Sequence, residues 1–566
     1  MKQKQWVYQP LPSRETLQSL GTVFKTSTMI TTLLWQRGIR TLAQAKAFFN
    51  PSLGDLHDPF LMKDMDKAVA RIGEALARDE SICVYGDYDV DGTTSVALLY
   101  HALQQLGAKR LSFYLPDRHK EGYGVSAQGI AHAIEKKVTL LICVDCGTRA
   151  VTHLTHAKTH GIDTIICDHH EVGANRPPAF AMLNPKRPDD DYPFKGLSAC
   201  GIVFKLVQAL FQAQKSPLNP DDYLDLVALS IAADIVPMVE ENRLLMYHGL
   251  DKLNTDPRPG IWALKQGRKQ EMPFSVSDVV FGLAPFINAV GRMSHATPAV
   301  ELLLTEERTT AEKKAMLLQE ENRSRKQLDE ETTHEALAMA AQGPPSETIV
   351  LYKEGWPKGI VGIVAARCVE HYHRPTIILT KVGNMLTGSG RSIPGYNLYD
   401  AVHHCAPLLQ RYGGHAQAVG LTIAHQDLPS FIQQFEEKVA NTLLPHHKIV
   451  KQTIDLGTSL SELTPTNCRL IARMAPFGPA YRQPVFATTG VTVHDYHIYQ
   501  GKHIKIFFKE KDDGPLWDAI GFYMAEQFQQ IHTNHSRLDI AYKVSLDKYR
   551  GVERIQLTLK DLSATT

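Results

Sequence analysis

The chain has 566 residues, 43% of them hydrophobic and 21% charged, with a formal net charge of +1. That length supports several domains with real cores, and the composition is that of a globular protein rather than a disordered or fibrous one. A near-neutral charge excludes binding to nucleic acid through a global field, so any such affinity has to come from local patches. Met1-Lys2-Gln3-Lys4-Gln5-Trp6 lacks the apolar core of a signal peptide, and no run approaches the length of a membrane span. Eight scattered cysteines suit a reducing cytoplasm better than a disulfide framework, so a cytoplasmic protein with no membrane partner is expected.

In chain order, the first informative elements are three short apolar runs at 81–85, 139–144 and 164–167, which read as buried strands. Helix-like segments at 93–107, 127–137 and 149–161 lie between them. That alternation predicts an α/β domain with a parallel sheet and right-handed crossovers, in which the strand carboxyl ends line the ligand crevice. Each run leads into acids or histidines: Asp87-Tyr88-Asp89-Val90-Asp91-Gly92, then Asp145, then Asp168-His169-His170. Three separate parts of the chain thus bring carboxylates and histidines to one edge, the composition of a metal site.

The first cluster opens like an EF-hand, but that loop needs a glutamate at its twelfth position, and here Leu98 stands there. A solvated acidic turn also fits the cluster taken alone. Against that, three like charges within five residues repel, and a divalent cation relieves the cost. Cys143-Val144-Asp145-Cys146 has redox or zinc spacing, yet strand alternation would put the two cysteines on opposite faces and Cys143 with Asp145 on one. No second pair completes a zinc site, so the cysteines read as packing residues. Asp168-His169-His170 mixes oxygen and nitrogen donors in a way that suits Mn²⁺ and tolerates Mg²⁺ or Zn²⁺. Asp234 lies in the apolar stretch 226–237, where a carboxylate is costly unless hydrogen-bonded or metal-bound.

Farther along, Asn288-Ala289-Val290-Gly291-Arg292 follows an apolar stretch and is expected to precede a helix, its Arg free to fork onto phosphate. The stretch 309–342 has no Pro or Gly and reads as one helix of roughly 50 Å, long enough to bridge two domains. Strands at 348–352 and 376–379 flank a helix at 360–372, a second α/β unit. Gly388-Ser389-Gly390-Arg391-Ser392 and Arg411-Tyr412-Gly413-Gly414-His415 read as glycine-rich loops with phosphate-binding side chains, or simply as turns. Neither is a Walker loop or a dinucleotide fingerprint. From Lys451 the pattern turns to short strands, a small β-barrel. There Tyr496, Phe507, Phe508 and Tyr549 interleave with Lys502, Lys505, Lys509 and Arg550, a combination suited to stacking single strands if the rings are not core.

Taken together, these residues resemble the DHH phosphoesterases, and among them the RecJ-type single-stranded-DNA exonucleases of bacteria. The likeness runs over about 20–562. It includes the motif at 86–95, Pro116-Asp117-Arg118, Gly122-Tyr123-Gly124, 144–148, Asp168-His169-His170, Asp234, 288–293, the 388–392 loop and Gly413-Gly414-His415. It implies an N-terminal segment (1–58), a DHH catalytic domain (59–308), a connecting helix (309–342), a DHHA1 domain (343–448) and an OB-fold (449–566). The implied activity is 5′→3′ degradation of single-stranded DNA to mononucleotides in DNA repair and recombination, with Mn²⁺ or Mg²⁺.

Carried over by position, Asp89, Asp91, Asp145, His169 and Asp234 resemble the ligands of a two-metal centre, with Asp145 as the bridge and Asp87 as a further acid. His170 is expected close enough to touch the scissile phosphate or the leaving group. Ser389, Arg391, His415 and Arg292 are expected to hold DNA phosphates across a cleft too narrow for a duplex. The resemblance also implies recruitment by single-strand-binding protein and a RecQ-type helicase, and the three linked domains suggest a monomer. Two stretches depart from the family: Ser230-Ile231-Ala232-Ala233 replaces the commoner Gly-Thr-Val-Ala, and 477–482 lacks the usual Gly-Asn pair before Pro484. Neither is expected to touch a proposed ligand. Two rivals are weaker. Small-oligonucleotide phosphodiesterases of the DHH group generally lack the long helix and the barrel, and inactive scaffold relatives lose metal ligands that are present here.

Overall fold

Strands that are apolar on both faces need a cover on each side, and the sheet of the first domain has one. In the computed structural model, which describes residues 4–118, 120–266, 273–343, 346–533, 535–549 and 552–565, that sheet is wholly parallel. Its order is Leu111–Tyr114, Ile82–Tyr85, Leu140–Val144, Asp163–Cys167, Ala181–Leu183. Val84, Ile142 and Ile165 face the large core shared with the helices Val90–Gln105, Ala199–Ala213 and Leu224–Ala233. Cys83, Tyr85, Leu141 and Ile166 face a smaller core under Ala127–Glu135 and Val151–Thr159. From Ile82–Tyr85 the chain first adds a strand on one side and then crosses to the other. The strand order reverses there, and a crevice opens at the carboxyl ends.

Arg308–Gln342 is a single 35-residue helix. Ala311, Ala315 and Leu318 from its first half belong to the first domain's core, and Ala336 packs with Trp356, Val361 and Val364 of the next domain. That next domain is a five-stranded sheet ordered Leu409–His415, Ala418–Ala424, Met385–Arg391, Thr376–Val382, Ile349–Tyr352, parallel only at the last pair.

Two stretches expected to be loops are strands. Residues 388–391 lie in the central strand Met385–Arg391, and 411–415 in the edge strand Leu409–His415. Gly388, Gly390 and Gly414 serve close strand packing instead: a Cβ on Gly388 would lie 2.2 Å from the Ile378 carbonyl oxygen. The 288–292 stretch does precede a helix, Thr297–Leu303, but is itself helical, forming the last turns of Ala284–Met293.

The C-terminal strands close into a barrel, because Phe486–Tyr499 pairs with both His503–Lys509 and Arg537–Tyr549. Of the proposed stacking residues, Phe508 is core, Phe507 is half-buried beneath Lys505, and Tyr496 is exposed. Arg550 and the Tyr549 side chain lie outside the described residues. Tyr499, Phe522 and Tyr523 are exposed aromatics that the pattern did not single out.

The N-terminal segment belongs with this barrel. Gln5–Tyr8 pairs in parallel with Lys451–Ile454, and Leu20, Phe24, Met29, Ile30, Leu33 and Leu34 join the barrel's core. Leu33→Ala should therefore cost about 2–5 kcal/mol and lower the denaturant midpoint of the barrel, although Leu33 lies some 450 residues away in sequence. Fluorescence of Trp35 and Trp517, which pack on that core, reports the transition.

Candidate active site

The strand ends at the crevice supply the acids directly. Asp87 follows Ile82–Tyr85, Asp145 follows Leu140–Val144, and Asp168 follows Asp163–Cys167. Asp89 caps Val90–Gln105, its Oδ1 accepting from the Gly92 amide at 3.0 Å, and Asp91 sits in that helix's first turn. Asp234 ends Leu224–Ala233.

Three overlapping groupings of donor atoms form: Asp91 with His169 and Asp234, Asp87 with Asp89 and Asp145, and Asp145 with His169 and His170. His169 Nε2 lies 3.4 Å from Asp145 Oδ1, 3.6 Å from Asp234 Oδ2 and 3.8 Å from Asp91 Oδ2. The structure thus gathers Asp87, Asp89, Asp91, Asp145, His169, His170 and Asp234 into one cluster, with Asp145 common to two of its groupings.

The electrostatics are those of carboxylates crowded together in a buried space. Burial and the neighbouring carboxylates push Asp87 and Asp145 well above the ordinary range, and Asp234 rises to about 9. Burial also raises Asp91, although its carboxylate accepts from the amides of Ala199 and Cys200 and from Ser230 Oγ at 2.7–2.9 Å. Burial holds His169 low, in the neutral form that ligates metals. Among the described residues, Asp87 Oδ1, Asp145 Oδ1 and His169 Nε2 are buried without a hydrogen-bond partner. Unmade bonds on two carboxylate oxygens and one imidazole nitrogen fit a hard or borderline divalent cation.

Asp168 and Tyr123, both visible in sequence motifs, take roles that the sequence did not assign them. Asp168 does not join the donor groupings: its Oδ1 accepts from His170 Nδ1 at 2.7 Å and from the His169 amide at 2.8 Å, and its Oδ2 from the Thr148 amide. Burial would raise its pKa, but these bonds outweigh burial and hold the carboxyl well below its usual range. Asp168 therefore orients both histidines. Tyr123 donates its hydroxyl to the Asp145 carbonyl at 2.9 Å and lies 3.1 Å from the His170 ring nitrogens. The expectation that the 230–233 departure leaves the ligands untouched is wrong, because Ser230 bonds Asp91 directly.

The Cys143–Cys146 geometry also differs from expectation. The strand ends at Val144, Asp145 takes φ 59°, and the chain turns back, so both cysteines, each a free thiol, share one core. Their role as packing residues is unchanged.

A cationic cluster faces the acids. Arg292 donates to the Gly359 carbonyl at 3.2 Å, across the join between the domains. Burial, with Arg118, Arg391 and Arg325 nearby, lowers its guanidinium to about 10. Ser389 and Arg391 share one face of their strand, above Gly362. His415, at the edge hairpin, is lowered by burial and by the charges of Arg391 and His170. Arg118, which the sequence placed in a family motif without a role, stacks on Tyr88 at 4.8 Å and extends the cluster, as does Lys358, which the pattern did not single out.

Comparison with known proteins follows this geometry closely. Residues 81–231 match the DHH family N-terminal domain, 346–441 the DHHA1 domain, and 454–561 the RecJ OB domain. The parallel sheet with its acid-and-histidine crevice is therefore that of a DHH-type protein. The chain is 34% identical over 558 residues to the single-stranded-DNA-specific exonuclease RecJ of Bacillus subtilis (strain 168), covering 98% of this chain and 70% of that protein. It is 32% identical to the RecJ of Dickeya dadantii (strain 3937), covering 93% and 94% respectively. The crystal structure of RecJ in complex with Mn²⁺ from Thermus thermophilus superposes with a TM-score of 0.85 at 25% identity, over 99% of this chain and 80% of that one. The chain belongs to the RecJ family.

Proposed function

We propose that this chain is a metal-dependent exonuclease that degrades single-stranded DNA from its 5′ end to mononucleotides, with Mn²⁺ or Mg²⁺ at the acid-and-histidine cluster. The observation that carries this reading is the pair of donor groupings joined through Asp145, facing a set of converging arginines. Asp89, Asp91, Asp145, His169 and Asp234 would hold the cations, with Asp87 as a further acid beside them. Held by these residues, a pair of divalent cations would supply a water of lowered pKa and positive charge opposite the attacking and leaving oxygens.

The chain's own residues do the rest. Asp168 and Tyr123 fix the His170 ring so that it meets the scissile phosphate in one orientation. Arg292, Arg391, Ser389 and His415 hold the phosphates, and guanidinium forks spread the charge that develops in the transition state. The exposed barrel aromatics add stacking without reading sequence. In this reading the enzyme acts as a monomer in the cytoplasm, recruited by single-strand-binding protein and a RecQ-type helicase; among the described residues no helix is long and apolar enough to cross a membrane.

The test is digestion of single-stranded DNA labelled at either end, with Mn²⁺, Mg²⁺ or EDTA. Metal-dependent release of mononucleotides from the 5′ end is expected. Binding without turnover under any metal would point to a scaffold, and cleavage confined to di- to tetranucleotides would point to a small-oligonucleotide phosphodiesterase.

A second expectation concerns the turn that carries the first acids. A Cβ on Gly92 would lie 2.5 Å from the Asp87 carbonyl oxygen and 2.7 Å from its carbonyl carbon and amide nitrogen, all backbone that cannot swing away. Gly92→Ala should therefore displace Asp87 and Asp89, and should shrink the rise in melting temperature that Mn²⁺ produces. A wild-type rise in the variant would mean that the turn tolerates the methyl.

A further inference from the structure

Away from the acid cluster, a cavity of about 740 Å³ opens where the N-terminal helices, the barrel and the first domain meet. Four cations line it: Arg37 at the end of Thr28–Gln36, Arg482 in the turn before the barrel, Lys543 on Arg537–Tyr549, and Lys560 on Val552–Ala564. Asp455 is the one acid that lines it among the described residues; its Oδ2 accepts from the Val485 amide at 2.9 Å, and its single charge is shared among Arg37, Arg482 and Lys543. Lys4 adds a fifth cation at the rim, its Nζ 2.7 Å from the Lys560 carbonyl. None of the four lining cations has an ion pair within 4.0 Å among the described residues. Arg37 spends its terminal nitrogens on the carbonyls of Leu33 and Arg482, which leaves its buried Nε without a partner. Phe477, whose ring stacks on Tyr481 with centroids 5.6 Å apart, also lines the cavity.

Like charges held together in a partly desolvated space cost free energy unless an anion neutralises them. Burial and the neighbouring cations already hold the Lys543 and Lys560 amines below their usual range. A water-filled seam between domains needs no such convergence, and the volume falls within the range of small-molecule sites. Arginine and lysine with a half-buried aromatic suit a phosphate joined to a flat ring. None of the acid-cluster residues, and neither Arg292 nor Arg391, lines the cavity. We infer that this cavity binds a nucleoside phosphate, held through its phosphate by Arg482, Lys543, Lys560 and Arg37 and through its base by Phe477, at a site separate from the metal cluster.

The test is calorimetric titration of the full chain in EDTA with deoxyadenosine monophosphate, with inorganic phosphate as competitor. Saturable binding is expected, competed by phosphate, weakened about tenfold or more in Lys543→Gln and further in Lys543→Gln/Arg482→Gln, and unchanged in Asp145→Asn. Both cavity variants should melt close to wild type, because the repulsion they relieve is offset by the attraction to Asp455 that they remove. No binding at millimolar nucleotide, equal affinity in the double variant, or loss in Asp145→Asn would each overturn the assignment. A single-stranded oligonucleotide that displaces the nucleotide and loses affinity in the same variants would keep the site and identify the strand's own phosphates as the source. Because the titration contains no metal and reads no turnover, its failure is separable from failure of the exonuclease reading.

Discussion

Asp145→Asn is expected to reduce turnover of single-stranded DNA by at least about a thousandfold while making the metal-free protein more stable. Loss of several kcal/mol of charge stabilisation in the transition state corresponds to that factor, at about 1.4 kcal/mol per decade. The gain in stability has a different origin. Asp145 is 2% exposed, its Oδ1 makes no hydrogen bond among the described residues, and Asp91, Asp89, Asp87 and Asp234 crowd it with like charge. A neutral amide removes that repulsion. Asn also tolerates the left-handed backbone that Asp145 occupies at φ 59°, so no new strain enters.

In EDTA the variant should melt above wild type, by roughly 2–4 °C for each kcal/mol relieved in a domain of this size. Added Mn²⁺ should then stabilise wild type far more than the variant, since binding to the folded state alone adds about 2.7 kcal/mol at a hundred times Kd. Scanning fluorimetry with and without metal, beside a single-turnover assay, reads both effects. A variant that melts lower in EDTA would make Asp145 a structural residue and sink the account.

How far the sequence reached follows from how local each signal is. The strands at 82–85, 140–144 and 163–167 were legible because burial on both faces leaves an unbroken apolar run, and the acids beyond them were legible because they end those runs. The 35-residue helix was legible because it lacks Gly and Pro over its whole length. The glycines at 388 and 390 misled: a strand that must approach its neighbours closely carries the same residues as a turn, and only the third dimension separates the two. The turn at Asp145 was missed for a similar reason, since strand alternation assumes the strand continues.

Pairings between distant segments leave no local trace. Ser230 supporting Asp91, and the N-terminal helices filling the barrel core, are of this kind. Asp168 lies between the two cases: the triplet was visible, but whether its carboxylate faces a metal or turns to bind the histidine beside it is a choice of rotamer.

Gly359→Ala should lower kcat/KM for single-stranded DNA by about a hundredfold while leaving the Mn²⁺-dependent rise in melting temperature intact. A Cβ at 359 would lie 2.3 Å from the Arg292 carbonyl oxygen and 3.2 Å from its carbon. Both are backbone in the last turn of Ala284–Met293, and that helix has little room to retreat, because a Cβ on Gly291 would already meet the Tyr88 carbonyl oxygen at 2.5 Å. The methyl is therefore expected to push the second domain outward. The Arg292 bond to the Gly359 carbonyl is then lost, and Arg391 and Ser389, which sit over Gly362 three residues on, move with the displaced domain. A shift of about 1 Å in groups that position a substrate is enough for a hundredfold loss. The acid cluster lies wholly on the first domain, so its affinity for metal should not change. Steady-state kinetics on a 5′-phosphorylated oligonucleotide, beside metal-dependent melting, separates the two. A kcat/KM close to wild type would mean that the join between the domains absorbs the methyl without moving the arginines, whereas loss of the metal response would place the damage in the acid cluster rather than in the cleft.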